Sequence, residues 1–258
     1  MERAVSIGTV WCSTSGTFLR HFIEASCVFF SVMVAVIVSH GLPGSLPFEQ
    51  MTNVGPGQLL WREDGLVEWL TAILQLSSGL LFALALRRGF QLGVLGNARE
   101  GLFLAALSLA LIFTAGEEIS WGQRLFGFAT PDALVQINQQ QEFNLHNLGA
   151  LHYWKDGIAA LATLGWGVIL PVAVVFSRPL ARLCQRVWLP VPPLWCVPHF
   201  AAAIGCRVVF KPFYGNIGVE AFEMLFGLAM MMLAMHACKT PSILYLERSN
   251  SSLSHQSA

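Results

Sequence analysis

An all-α polytopic bundle of about six membrane-spanning helices is the fold this sequence predicts, and three observations predict it. Of the 258 residues, 55 % are hydrophobic and only 12 % charged, with a mean hydropathy of +0.59. Soluble domains carry charge on about a quarter of their residues, so this chain has too few charges to cover a solvated surface. Six stretches approach the ~20 apolar residues that a bilayer requires at helical rise. Basic residues, finally, alternate between successive connections.

The predicted helices fall near 22–42, 66–86, 101–119, 157–176, 191–210 and 217–237. The first is read as a retained helix rather than a cleaved signal, because its apolar stretch exceeds a typical h-region and Glu24 sits on its flank. The fifth carries the weakest pattern, being interrupted by Pro192, Pro193, Pro198, His199 and Arg207. Eight Trp and eighteen Phe suit a lipid-facing body with aromatic belts at both interfaces. Residues 1–242 form one membrane domain in this reading, and the Ser- and Asn-rich end, 243–258, is expected to be a disordered tail.

Orientation follows from the positive-inside rule. Arg3 and Arg20 precede the first helix; Arg87, Arg88 and Arg99 lie between the second and third. Arg178, Arg182 and Arg186 lie between the fourth and fifth, and Lys239 and Arg248 follow the sixth. The opposite connections hold Glu49, Glu63, Asp64, Asp132 and Glu142. Both termini are therefore expected in the cytoplasm of a bacterial plasma membrane. Zero formal net charge gives no bulk attraction to nucleic acid. The six cysteines form no C-x-x-C pair, which argues against a disulfide framework or a thiolate zinc site.

Depth arithmetic singles out one layer. Glu68 enters the second helix in its first turn, and Glu117 and Glu118 close the third. Arg207 lies a turn before the end of the fifth, and Glu220 and Glu223 occupy the first two turns of the sixth. All fall within roughly 10 Å of the outer boundary at helical rise. Ionisable groups inside a membrane are expensive and usually functional, although any one of them near an interface can simply snorkel. Several acids on three helices at one level imply a polar cavity open outward, with Arg207 as counter-charge.

Two strings lie at that end. In Gly116-Glu-Glu-Ile-Ser-Trp-Gly-Gln-Arg124, adjacent glutamates point about 100° apart, so one faces the bundle and the other its rim. Glu117 shares a helical face with Ser120 and Trp121, and Arg124 would reach back toward Glu118 if the helix continued. The plain alternative is a helix end with an interfacial Trp. The polar segment 120–155 then holds Asn138-Gln-Gln-Gln-Glu-Phe-Asn-Leu-His-Asn147, preceded by Pro131, which is expected to start a short helix. On a helix, Glu142 and His146 would be an i, i+4 pair able to approach one water or one metal. Asn144 and Asn147 add hydrogen-bonding groups. The plain alternative here is a hydrated amphipathic loop, since E-x-x-x-H is no zinc signature. Asp64 is expected to cap the second helix, and His199 and His236 are read as structural.

These two strings, with Glu-Asp-Gly-x-x-Glu before the second helix, resemble a group of uncharacterised bacterial multi-pass membrane proteins. That resemblance covers most of the membrane body and implies no activity. A thinner similarity is to the CAAX-protease and bacteriocin-processing family of intramembrane glutamate proteases, with EE-x-x-x-R, F-x-x-x-H and H-x-x-x-N/D motifs. Here Gly122 stands where the arginine belongs, Arg124 falls two positions late, and Phe143 to His146 is one residue short. This similarity implies carboxylate-activated water attacking a bond near the bilayer surface.

The function expected from the sequence is a membrane-embedded hydrolase or transferase acting on a lipid or lipid-linked substrate from outside. Glu117, Glu118, Glu142 and His146 are the catalytic candidates, and Glu118, Glu142 and His146 the candidate ligands of a divalent metal ion. Arg124, Arg207, Glu68, Glu220, Glu223, Asn144 and Asn147 are the substrate-binding candidates. The alternatives are a proton-coupled transporter and a non-enzymatic assembly subunit. The acids stop at the outer end, and only Gln75, Ser77 and Ser78 continue inward, which weighs against conduction.

Overall fold

A computed structural model of the chain describes residues 7–40, 65–95, 98–187 and 189–241. The expectations for the 243–258 tail and for Asp64 lie outside the described residues. Six helices are long and apolar enough to cross a membrane: Gly16–Ile37, Leu66–Gln91, Gly101–Glu118, Trp154–Phe176, Leu194–Tyr214 and Asn216–Lys239. The protein is therefore a multi-pass membrane protein of all-α class. Among the described residues only an isolated bridge, Asn138 to Leu148, departs from helix and turn.

The second span is central, packing along both the third and the sixth. The fifth lies on the sixth, and the first lies on the fifth. Lipid tails are as apolar as leucine, so such helices associate through close packing of small residues rather than by hiding apolar surface. At Gly79, a Cβ would come within 2.9 Å of the Ser108 carbonyl on the third span. The bare glycine admits that approach, and the Ser108 hydroxyl donates to the Gly79 carbonyl at 2.8 Å. Phe82, Leu104, Phe200, Met230 and Leu233 fill the bundle on one side of this contact. Val36, Phe210, Phe222 and Leu225 join the first, fifth and sixth spans. Leu80, Leu102, Leu109, Leu161 and Phe176 point outward, as a lipid-facing surface requires.

The spans differ from the predicted ranges by up to six residues at their ends. The fourth begins in a helix at Leu151, which shortens the polar segment expected between the third and fourth helices. A π turn, Thr163–Ile169, interrupts it just before Pro171. Proline has no N–H and crowds the carbonyl four residues back, and a widened turn accommodates both effects. In the fifth span, Pro198 sits in the first helical turn, where a missing N–H costs nothing. Arg178, Arg182 and Arg186 share one face of the short helix Arg178–Val187.

Candidate active site

Successive spans alternate in direction. The starts of the second, fourth and sixth therefore meet the ends of the third and fifth at one end of the bundle, the loop end. Two polar systems lie there, and the adjacent glutamates of the third span divide between them.

Glu117 turns into the loop. The residue is 3 % exposed. One carboxylate oxygen accepts the Trp121 indole N–H at 2.6 Å. The other accepts the backbone N–H of Leu145 at 2.6 Å and of His146 at 2.9 Å. The His146 ring Nδ1 stands 3.5 Å from that second oxygen. A carboxylate with its lone pairs so occupied serves as an anchor for the loop.

The anchor depends on how the third helix stops. Ser120, Trp121 and Gly122 follow one another at φ +46°, +55° and +75°. Left-handed backbone costs a non-glycine residue roughly 1–2 kcal/mol. Bonds made only in that conformation offset the cost, since the turn folds Trp121 back along the helix to Glu117. Gly116 makes room for it: a Cβ there would lie 2.9 Å from the Trp121 ring. Ser120 meanwhile donates to Glu142 at 2.5 Å.

Beyond this turn, Asp132–Val135 forms the short helix expected after Pro131. Residues 138–148 then close on themselves. Gln139 N–H donates to the Asn147 carbonyl at 2.9 Å and Gly149 N–H to the Ile137 carbonyl at 3.1 Å. Three buried asparagines hold the interior, Asn138, Asn144 and Asn147. The Asn138 amide donates to the Asn144 backbone carbonyl at 2.9 Å. The Asn144 amide donates to Ser120 and to Glu142, each at 3.0 Å. Asn147 pairs with Gln140. Gln123 receives the Phe143 N–H at 2.7 Å and donates to Thr130 at 2.7 Å.

This corrects the helical i, i+4 reading of Glu142 and His146. Turns and bends run through both residues, because the asparagine side chains compete with a helix for its backbone hydrogen bonds. Glu142 belongs to Ser120 and Asn144, and His146 to Glu117. The helix that would carry Arg124 back to Glu118 ends at Glu118, and the Arg124 side chain lies outside the described residues.

Glu118 turns the other way, into the bundle. It lies within electrostatic reach of Glu223, Glu220, Glu68 and Lys155. Glu223 in turn feels Lys155, Asp156, Arg207 and Glu68, and Glu220 feels Glu68, Lys155 and Asp156. Five carboxylates and two cations from five spans thus share one partly buried layer. Lys155 pairs with Asp156 at 3.9 Å. The Arg207 guanidinium stands 5.9 Å above the Phe222 ring, and one of its terminal nitrogens, buried, has no hydrogen-bond partner. The Asp156 oxygen of that ion pair, Oδ1, is likewise buried and beyond the pair has no hydrogen-bond partner. Deeper on the same face of the second span, Thr71 Oγ1 and Gln75 Oε1 are in the same condition.

The predicted residues therefore separate into two groups. Glu68, Glu118, Arg207, Glu220 and Glu223 gather in the acid layer. Glu117, Glu142, Asn144, His146 and Asn147 build the loop above it. Glu118, Glu142 and His146 do not converge as metal ligands. Among the described residues the only such convergent group is His21, Glu24 and His199, at the other end of the bundle. Sequence reasoning passed over Thr71 and over that histidine cluster, although the same depth arithmetic puts His21, His199 and His236 near one interface. No protein-family model matches the chain, and neither a known protein nor a solved structure matches it.

Proposed function

We propose that this membrane protein is a hydrolase or transferase acting on a lipid or lipid-linked substrate at the loop end, facing outward from a bacterial plasma membrane. The observation that carries the reading is the meeting of Glu68, Glu118, Glu220 and Glu223 beside Lys155, Asp156 and Arg207. Carboxylates that share a site divide the roles of acid and base. One takes the proton of an attacking water or hydroxyl while another protonates the departing oxygen. Lys155 and the unpartnered Arg207 nitrogen supply donors for an anionic head group, and guanidinium suits phosphate. At helical rise the layer falls within roughly 10 Å of the span ends, a depth compatible with attack on a lipid's ester or phosphate bonds. The anchored loop fixes the rim, with Glu117 in a positioning role.

The test is turnover of phosphatidylglycerol, phosphatidylethanolamine and a polyprenyl phosphate by the purified protein in nanodiscs. Product release by the wild type, lost in Glu118→Gln and Glu223→Gln, supports the proposal. Folded wild type that releases no product from this panel, or variants as active as wild type, overturns it.

A second reading, proton-coupled transport, draws on Thr71 and Gln75. They continue the polar face of Glu68 roughly 10 Å into the bundle at helical rise, with unpartnered oxygens buried there. Phe82, Leu104, Phe200, Met230 and Leu233 close the bundle further on. Proton uptake into sealed vesicles containing a pH-sensitive dye, abolished in Glu118→Gln, would favour this reading over catalysis.

A further inference from the structure

At the end of the bundle opposite the acid layer, residues from two distant spans point ligand atoms into one small space. His21 and Glu24 come from the first span and His199 from the fifth. His21 Nδ1 lies 2.9 Å from a Glu24 carboxylate oxygen and 3.2 Å from His199 Nε2. The three ligand atoms all lie within 4.8 Å of one another. Both histidines are buried, at 7 % and 6 % exposure.

Protons alone serve this arrangement poorly. His21 Nδ1 faces two partners at hydrogen-bond distance yet carries at most one hydrogen. If that hydrogen goes to Glu24, the His199 contact is left without one of its own. If His199 donates to Nδ1 instead, the Glu24 oxygen faces a lone pair. A cation between the three resolves the conflict, because each group then offers a lone pair to the same centre. The spacing suits this. Tetrahedral zinc with bonds of about 2.0–2.1 Å sets its ligand atoms roughly 3.3 Å apart, close to the two short separations at His21 Nδ1. The third pair, Glu24 with His199, lies within 4.8 Å and closes to that spacing when the ion binds.

The surroundings are those of a metal site. The other Glu24 oxygen accepts from the Arg20 guanidinium at 2.7 Å, which orients the carboxylate as an outer-shell partner does. Trp195 lies against the His21 ring, its centroid 4.8 Å away, and meets the His236 ring at 4.3 Å with the planes tilted by 43°. His236 Nδ1 contacts the Met232 carbonyl at 3.0 Å. Donating there leaves Nε2 with the lone pair, and the ring centre is 6.5 Å from that of His21.

We propose that His21, Glu24 and His199 bind a divalent first-row transition ion, zinc foremost, with the fourth position open to water or to His236. Two imidazoles and one carboxylate select such an ion over calcium or magnesium, which prefer all-oxygen shells. The ion clips the first span to the fifth. The site shares no residue with the proposed acid–base layer, so either can fail alone.

The experiment is titration of the full-length, detergent-purified protein, stripped with chelator, with Zn²⁺ against a chromophoric competitor and then with Co²⁺. One equivalent of Zn²⁺ per chain is expected, and Co²⁺ should show the visible bands of a tetrahedral site. His199→Gln and Glu24→Gln should each lower Zn²⁺ affinity at least tenfold and change the Co²⁺ spectrum, while gel filtration reports the fold. His146→Ala should leave both unchanged. Absence of stoichiometric binding by the wild type overturns the proposal. So does unaltered binding in folded His199→Gln and Glu24→Gln, or loss of binding in His146→Ala.

Discussion

The carboxylate of Glu117 accepts the backbone N–H of His146 at 2.9 Å, across 29 residues of chain. Its neighbour Glu118 makes no such closure and faces acids from two other spans. Two glutamates one peptide bond apart thus hold opposite duties, and substitution separates them.

Glu117→Ala removes the acceptor of three N–H groups in a buried setting. A buried donor left unsatisfied costs about 1–3 kcal/mol. The 138–148 segment should loosen and thermal stability should fall. Limited proteolysis of protein in nanodiscs would register faster cleavage within residues 136–150, while equal rates in wild type and variant would remove the anchoring role.

Glu118→Gln should act in the opposite sense. It relieves crowding among carboxylates at no cost in packing volume, so melting in detergent should stay constant or rise while product release is lost. A melting temperature that falls as far as in Glu117→Ala would give Glu118 a structural duty as well.

Arg207→Met should destabilise. Stripping the partner from a fully buried charge pair costs about 3–5 kcal/mol, and less here because the guanidinium keeps some exposure. The double variant Arg207→Met with Glu223→Gln should recover part of the loss. An additive double variant would show that Arg207 does not offset Glu223.

Gly116→Ala places a methyl group against the Trp121 ring, and overpacking of this kind costs about 1–3 kcal/mol. Trp121→Phe, which keeps the ring volume closer while deleting the indole N–H, should cost about 1 kcal/mol. Thermal melts would rank the two, and a milder Gly116→Ala would mean that the ring moves aside freely.

Thr71→Val replaces a buried, unpartnered hydroxyl with a methyl group. Where the hydroxyl serves structure alone, the change should raise stability, because an unmatched polar group is costly to bury. A rise in stability accompanied by loss of substrate or proton handling would assign that oxygen to a ligand.

The spans were readable in the sequence because the bilayer imposes one length and one polarity on every crossing. Depth, counted at a fixed rise per residue, was equally readable, and it put Glu68, Glu118, Glu220 and Glu223 at one level. The division of labour between Glu117 and Glu118 was not. It depends on three left-handed residues after the helix, and nothing in Ser120 or Trp121 announces that conformation. Asn138, Asn144 and Asn147 likewise look like solvated loop residues until closure of the loop buries them. The His21–His199 contact spans 178 residues and leaves no local trace.

That separation also sets a timetable. The first span packs chiefly against the fifth and the turn before it, yet it leaves the ribosome long before either. At a synthesis rate of roughly 5–20 residues per second, it waits about 10–40 s in the bilayer for its partner. Several of its polar groups have their partners within the same helix, Arg20 on Glu24 at 2.7 Å and Ser31 on the Cys27 carbonyl at 2.8 Å, so these need no second span. The first helix is thus equipped to stand alone before it belongs to a bundle.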